Sequence, residues 1–153
     1  MAAKKRVDTK NAELVKRQDY ADTLHTIVAG GFCPFCEEHL FKHHTKPLIR
    51  KGRHWLVTDN AWPYAGTRAH VLFITRKHIE AAEQLSPAAW TELLELYREL
   101  VTARKLRGAT LMVRSGDTAY TGASVNHLHA HVVSGSPRTK SSKMIRALVS
   151  FKK

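Results

Sequence analysis

Three histidines occupy alternate positions in the stretch HLHAH, as His127, His129 and His131. On a β-strand, successive side chains point to opposite faces, so the three imidazoles would share one face and the apolar residues between them the other. Histidine has no special preference for strands, and three protonated imidazoles on one face would repel one another. The pattern therefore favours a functional role, either metal binding or nucleophilic and acid–base chemistry on a phosphate.

The spacing of the three histidines does not suit one shared ion if they follow a single extended strand. Neighbouring side chains on one face of a strand stand about 6.6 Å apart, at ~3.3 Å per residue. Zinc needs its nitrogen ligands to converge within about 2.0–2.1 Å of the metal. We therefore expect the three histidines to have separate tasks.

A second group of potential ligands is the CPFC stretch, which contains Cys33 and Cys36. Two thiolates at this spacing supply half of a tetrahedral zinc site, and two further ligands must come from elsewhere. In CPFCEEHLFKHH, His39 with His43 or His44 offers a local solution. A redox role is less favoured because no thioredoxin-like βαβ pattern surrounds the pair. Two free thiols without a metal are the remaining alternative.

The composition indicates a globular domain with a preference for anionic partners. The 153 residues are 43% hydrophobic, which is enough for a core, and 25 Lys and Arg against 13 Asp and Glu give a formal net charge of +12. The apolar runs are far shorter than the ~20 residues that span a bilayer. The N-terminus also lacks the apolar stretch of a signal peptide. We therefore expect a cytoplasmic protein with no membrane partner, and an anionic ligand such as a phosphorylated small molecule or a nucleic acid.

The hydrophobic pattern predicts an α+β architecture, with helices set among antiparallel strands. A helix is expected from about residue 11 to residue 29, ended by a glycine pair, and a second one begins with Ser86 as N-cap and Pro87 at the first helical position. Strands are expected at 54–60, 70–75, 109–115, through the histidines, and at 144–151. We predict a flexible basic N-terminus at 1–10 and a single domain at 11–153.

Four motifs, in order from Phe32 to Val133, carry a resemblance to a known family. HLHAHVV fits the pattern H-φ-H-φ-H-φ-φ, where φ is apolar, and GASVNHLHAH resembles the lead-in to that pattern. NAWPY with HVLFITRKH resembles the family's Asn-x-x-Pro segment and its following strand, and CPFC resembles the cysteine pair of zinc-bearing members. The sequence thus resembles the histidine triad (HIT) superfamily, in particular its bacterial-type hydrolases with a CxxC zinc site. The resemblance implies a HIT-like fold with an antiparallel sheet of about five strands and two main helices.

The resemblance also implies roles for individual residues. His129 matches the nucleophile that attacks the α-phosphorus of a nucleotide and forms a nucleotidyl-imidazole. His131 matches the histidine that contacts the phosphate or the leaving group. Ser124 and the backbone around Gly122 match phosphate donors, and Asn60 matches the position that meets the ribose. Ser124 and Asn60 are also residue types that cap or close turns without any such role.

For the cysteine pair, the resemblance implies a closed structural zinc site whose remaining ligands are His78 and His127. This solution joins three distant segments, which is why we prefer it to the local histidines as partners of Cys33 and Cys36. The resemblance further implies a homodimer paired through a helix and a sheet edge.

The sequence departs from the usual family pattern at Arg114, where many nucleotide-binding members have Asn or Gln, and in the loop to Ser124, which is about two residues longer. A fixed positive charge there would favour a longer polyphosphate or a nucleic-acid phosphate. We expect a nucleotide hydrolase or transferase that acts on a nucleoside phosphoramidate or on a dinucleoside polyphosphate such as diadenosine tetraphosphate. The alternatives are an aprataxin-like deadenylase of nucleic-acid 5′ ends and a nucleotide- or nucleic-acid-binding module with little turnover.

Overall fold

One antiparallel sheet of five strands organises the protein, with the strand order β1-β2-β3-β5-β4. The computed structural model describes residues 6–14 and 17–153. The strands are β1 (Leu48–Lys51), β2 (Trp55–Asp59), β3 (Ala69–Thr75), β4 (Thr110–Arg114) and β5 (His129–Ser134). The helices are α1 (Thr9–Leu14), α2 (Gln18–Gly30), α3 (Glu37–His43), α4 (Pro87–Ala103) and α5 (Thr118–Thr121). This confirms the predicted α+β fold with its antiparallel sheet, in which α2 and α4 are the longest helices.

The two faces of the sheet bury different sets of side chains. On one face, α4 packs its apolar side against alternate residues of the central strands, and this forms the main core. Its fully buried members include Trp55, Val71, Phe73, Leu93, Ala130 and Val132. The opposite face carries Leu72, Ile74, His129 and His131, because Leu72 pairs with His131 and Ile74 with His129 across the strands. The histidines thus lie on a buried face rather than on an outer one.

Local signals in the sequence explain where the main helices begin and end. The Ser86 hydroxyl accepts a hydrogen bond from the backbone N–H of Ala89, 3.2 Å away, and Pro87 follows as the first helical residue. Helix α2 ends at Gly30, and Gly31 has the left-handed conformation with φ 69°. Both boundaries were predicted and are confirmed.

Two expected elements differ from the structure. The helix predicted over 11–29 is replaced by two helices, α1 and α2, and residues 15–16 between them lie outside the described residues. The strand predicted at 144–151 is wrong, because that segment has no regular secondary structure. Ile145 and Leu148, three residues apart, are its two partly buried members, a spacing that does not match the two-residue period of a strand.

The N-terminal segment packs beside the loop that precedes the histidines. Residues 1–5 of the predicted flexible N-terminus lie outside the described residues. Val7 is buried and forms a β-bridge with Val125, and the backbone N–H of Asp8 donates to the Ser124 carbonyl over 2.7 Å. The buried side chain of Asn11 donates to the carbonyls of Thr118 and Ala123, each at 2.8 Å. Residues 6–11 therefore hold the 118–125 loop in place.

In the described part of the chain, no helix is both long and apolar enough to cross a membrane.

Candidate functional site

Four potential metal ligands from three distant segments meet below the end of the sheet. One ligand atom each from Cys33, Cys36, His78 and His127 lies within 4.8 Å of every other. Cys33 Sγ is 3.5 Å and Cys36 Sγ 3.9 Å from Nδ1 of His127, and Cys36 Sγ is 3.3 Å from Nδ1 of His78. A tetrahedral zinc ion holds its neighbouring sulfur and nitrogen ligands about 3.3–3.8 Å apart. The spacing of the four atoms therefore fits a small tetrahedral cation.

The surroundings of the cluster also fit a bound metal. Nε2 of His127 lies 2.7 Å from the Thr75 carbonyl, which accepts its proton and leaves Nδ1 with the lone pair facing the sulfurs. Nε2 of His78 lies 3.6 Å from the Glu80 carboxylate. Burial raises the pKa of Cys33 to about 12, so the thiol stays protonated unless a cation compensates the thiolate charge. The Thr75 contact thus orients the His127 ring with Nδ1 toward the thiols, while Nε2 of His78 also contacts the Arg6 guanidinium.

The local alternative is not assembled in the structure. The His39 ring stacks on Phe32, and its Nε2 lies 3.0 Å from the Glu38 carboxylate. The His43 ring stacks on the rings of Phe32 and His39. His44 has its Nε2 within 2.8 Å of the Thr58 hydroxyl. Among the described residues, the cluster with His78 and His127 is the one group of this kind that could hold a metal.

His129 begins strand β5, and its ring is fixed from two sides. Nδ1 lies 2.6 Å from the backbone carbonyl of His127, which accepts its proton. The Phe35 ring contacts the imidazole edge-on, with ring centroids 5.1 Å apart and an interplanar angle of 80°. Burial lowers the pKa of His129 to about 4, and the nearby Arg114 charge acts in the same direction. The ring is therefore neutral at pH 7, with the lone pair on Nε2.

His127 does not share a strand face with the other two histidines, because β5 starts only at His129. The chain turns before the strand, and this turn directs the His127 ring to the thiols. The His129 and His131 rings remain neighbours, with centroids 5.0 Å apart. The three histidines are thus divided between two places: His127 lies in the candidate metal cluster, and His129 and His131 line the cleft.

His131 is linked to a further histidine on β3. Its Nδ1 lies 2.8 Å from Nε2 of His70, and the backbone N–H of Tyr64 donates to Nδ1 of His70 over 3.0 Å. The amide nitrogen of Asn60 lies 3.1 Å from Nε2 of His70, and its Oδ1 accepts from the backbone N–H of Trp62 over 2.8 Å. Asn60 thus closes the turn and contacts the histidine pair at the same time.

Arg114 lies at the same end of the sheet, and its guanidinium is engaged with protein groups. Nη2 donates to the Tyr64 hydroxyl over 3.0 Å and to the Leu148 carbonyl over 2.6 Å, and Nη1 donates to the Thr121 carbonyl. Nε lies 3.3 Å from Nε2 of His131. The side chain is only 7% exposed, so it ties β4, the 118–124 loop and the C-terminal segment together.

A cleft of about 1040 Å³ opens over these histidines. At one end it is lined by Gly122, Ser124, His129 and His131, together with Asn60 and Arg114. The remainder has apolar and aromatic walls, which include Leu24, Ile27, Phe32, Phe35, Leu40, Trp62 and Leu72. Pockets for small ligands typically measure about 300–1,000 Å³ and combine apolar walls with a few convergent polar groups. The cleft has the size and lining for a ligand with one flat apolar part and one anionic part.

The family model described as HIT domain matches residues 56–138, more than half of the chain. This chain belongs to the HIT family. The match spans β2 to β5 and therefore includes His70, His78 and the three triad histidines, whereas the cysteine pair lies ahead of it. The HIT assignment agrees with the resemblance that the motifs indicated. A search among curated proteins gives no significant match.

Solved HIT structures share the fold of this HIT chain. A Zn-bound histidine triad family protein from Mycobacterium smegmatis is 21% identical, with a TM-score of 0.53 over 70% of this chain and 79% of that one. A hypothetical histidine triad nucleotide-binding protein from Sulfolobus tokodaii is 20% identical, with a TM-score of 0.54 over 79% and 82%. A HIT family hydrolase from Legionella pneumophila is 20% identical, with a TM-score of 0.50 over 69% and 97%.

Sequence reasoning on this HIT chain did not identify His70, Tyr64 or Phe35 as parts of the site. For His70 a signal was present: it stands at an alternate position of the predicted strand HVLFIT, on the face that Leu72 and Ile74 share. A buried histidine in an apolar strand is a candidate partner for a polar group opposite it. The position of Phe35 against His129 follows from the folding of the CPFC segment over the sheet, which no local pattern reveals.

Proposed function

We propose that this protein is a nucleotide hydrolase or transferase that cleaves at the α-phosphate through a covalent nucleotidyl intermediate on His129. The observation that supports it most directly is the ring of His129. Its Nδ1 is held by the His127 carbonyl, and Nε2 has no hydrogen-bond partner among the described residues, at the polar end of a cleft. A neutral imidazole that is held in one tautomer is an effective nucleophile toward phosphorus at pH 7.

The cleft supports a nucleotide as substrate. Its apolar and aromatic part suits a nucleobase, and its polar end suits a phosphate because it combines a hydroxyl, imidazoles and a guanidinium. The lining contains no Asp or Glu among the described residues, which favours an anion. We assign Ser124 and the backbone at Gly122 to the phosphate and Asn60 to the ribose, as the family resemblance implies. The descriptions of two structural neighbours, a histidine triad nucleotide-binding protein and a HIT family hydrolase, support the broader proposal of a nucleotide hydrolase.

The proposed reaction has two steps. In the first step, the Nε2 lone pair of His129 attacks the α-phosphorus, a nitrogen–phosphorus bond forms, and the bond to the leaving group breaks with its electron pair on that group. His131 contacts the phosphate or the leaving-group oxygen, and His70 holds the His131 ring through the 2.8 Å contact. In the second step, water or another acceptor such as phosphate attacks phosphorus and releases Nε2. With water as acceptor, one of its protons ends on the leaving group.

We assign a structural zinc ion to Cys33, Cys36, His78 and His127, whose donor set and spacing fit it. When bound, the ion would supply a cross-link between the CPFC segment and the histidines, with all four positions taken by protein ligands. Two contacts connect the cross-linked residues to His129. The backbone carbonyl of His127 accepts a hydrogen bond from Nδ1 of His129. Phe35, which lies in the CPFC segment, contacts the His129 ring.

The deadenylase of nucleic-acid ends, the low-turnover binding module and the homodimer stay predictions. Part of the positive charge on which the nucleic-acid expectation rests is paired within the chain, since Arg50 lies 3.5 Å from Glu99 and Lys51 contacts Glu37.

An assay of AMP release tests the proposal. Wild type and His129→Ala are compared on an adenosine phosphoramidate, on diadenosine tetraphosphate and on adenylated DNA. We expect turnover of at least one of the first two substrates and a loss of at least about 10³-fold in kcat for the variant, since the nucleophile itself is removed. His25→Ala, on the exposed face of α2, is the matched control and should keep wild-type rates.

Two results would contradict the proposal. The first is absence of turnover on all three substrates, which would favour the binding module. The second is full activity of His129→Ala. Turnover of adenylated DNA alone would favour the deadenylase.

A further inference from the structure

The C-terminal segment 144–148 contributes residues to the wall of the cleft. Arg146, Ala147 and Leu148 line the same cleft as Ser124, His129 and His131. The Ile145 side chain lies over a glycine of the sheet end, since a Cβ at Gly135 would stand 3.0 Å from its Cδ1. A segment that is irregular in secondary structure is thus in contact with the site on which the proposed reaction depends.

Two contacts fix this segment against the phosphate end. The Leu148 carbonyl accepts from Nη2 of Arg114 over 2.6 Å. Gly122 has φ +67°, and a Cβ there would lie 2.6 Å from Cγ of Leu148 and 3.1 Å from its carbonyl oxygen. Leu148 therefore packs closely on the backbone of the 118–124 loop, at a position where a side chain would be both strained and in collision.

Three arginines line the cleft, namely Arg17, Arg114 and Arg146. Arg17 donates to the Pro63 carbonyl over 2.9 Å and lies over the Trp62 ring, and Arg114 is engaged with the groups described above. Arg146 has no hydrogen bond or ion pair with any of the residues in 6–14 and 17–153. It is the cleft-lining arginine whose donors are available to a ligand.

We propose that segment 144–148 forms the outer wall of the cleft and that Arg146 binds the phosphates of the leaving group. Arg146 is then a specificity-determining residue that favours polyphosphate substrates over substrates with a single phosphate. The inference rests on the proposed function. It assigns a role to segment 144–148, and it gives Arg114 the task of holding that segment in place. A guanidinium donates to phosphate oxygens in pairs, and such charged hydrogen bonds are the strong ones.

The experiment compares Arg146→Ala with wild type on diadenosine tetraphosphate and on an adenosine phosphoramidate with an uncharged amine. We expect kcat/KM to fall about ten-fold or more for the tetraphosphate, as the loss of a charged hydrogen bond predicts, and less than two-fold for the phosphoramidate. Arg138→Ala is the matched control, an exposed arginine ahead of segment 144–148 that does not line the cleft. It should leave both values unchanged.

A binding measurement separates this proposal from the proposed function. The affinities of wild type and Arg146→Ala for ATP and for AMP are measured by titration calorimetry. Wild type should bind ATP more tightly than AMP, and the ratio should fall about ten-fold in Arg146→Ala. If wild type turns over no substrate, the proposed function fails, and the ATP-to-AMP ratio still decides on Arg146. Equal losses on both substrates, equal losses in Arg138→Ala, an unchanged affinity ratio, or faster turnover in Arg146→Ala would each overturn the proposal.

Discussion

His70 is a buried imidazole whose environment keeps it neutral well below neutral pH. Burial lowers its pKa to about 4, and the charge of Arg114 acts in the same direction. In the unfolded chain a histidine has a pKa near 6.5. Between these values the unfolded state binds a proton that the folded state does not, so the free energy of unfolding decreases as the pH falls from about 6.5 to 4.

We predict that this decrease is smaller in His70→Gln. Over the window from pH 6.5 to 4, the variant should lose about 3 kcal/mol less of the free energy of unfolding than wild type, because one group with a lowered pKa has been removed. Urea unfolding at a series of pH values, at one fixed zinc concentration, measures the difference. His25→Gln on exposed α2 should follow the wild-type slope. Identical slopes for wild type and His70→Gln would contradict the assignment.

Most residues of the candidate site could be predicted from motifs in the sequence, and the others could be identified only from contacts in the folded protein. The family resemblance carried by the triad and the CPFC pair implied the four-ligand set that the structure brings together, and His129 as nucleophile stays a prediction. Tyr64 and Leu148 have no such local signal, since their role depends on contacts between segments far apart in sequence.

Helix α1 stabilises the loop that precedes the triad through two hydrogen bonds from Asn11. The Asn11 side chain is 4% exposed and donates to the carbonyls of both Thr118 and Ala123. Removal of this amide leaves two buried carbonyls without their donor, which typically costs about 1–3 kcal/mol.

We predict that Asn11→Ala lowers the free energy of unfolding by about 1–3 kcal/mol without a change in the urea m-value. The matched control is Thr91→Ala, which removes an exposed hydrogen bond from a side chain to the Pro87 carbonyl in α4 and should stay within about 0.5 kcal/mol of wild type. An effect of Asn11→Ala as small as that of the control would show that these hydrogen bonds do not stabilise the loop.

Elements with a strong local signal were predicted well, and elements that depend on tertiary contacts were not. Helix α4 has its N-cap, its proline and an apolar stripe, and β2 and β3 have apolar runs bounded by turn residues. Strand β1 has largely exposed residues and an irregular register with β2, so it has no alternating pattern to detect. The segment 144–151 has the composition of a strand, but it joins neither sheet edge, and its residues Arg146, Ala147 and Leu148 line the cleft.

Across the whole molecule, a bound zinc ion would join the N-terminal third to the last strand. A ligand that binds only the folded state at a free concentration of 100 times its Kd adds about 2.7 kcal/mol to the free energy of unfolding. We predict that removal of zinc with a chelator lowers thermal stability and that re-addition restores it. Metal analysis of purified protein should give about one zinc per chain for wild type and for His39→Ala, and a clear loss for His78→Ala. Zinc retained in His78→Ala and lost in His39→Ala would refute the ligand set.

The ligands of this cluster are far apart along the chain, and this has a consequence for the kinetics of folding. Cys33 and His127 are separated by 94 residues, and Cys36 and His78 by 42. An unfolded chain can offer an ion the two thiols of CPFC, and we expect the two histidines to join them only after β3 and β5 have paired. The complete centre forms late, so its stabilisation is absent from an early transition state. The ion should therefore lengthen the lifetime of the folded protein and have little influence on how fast it folds.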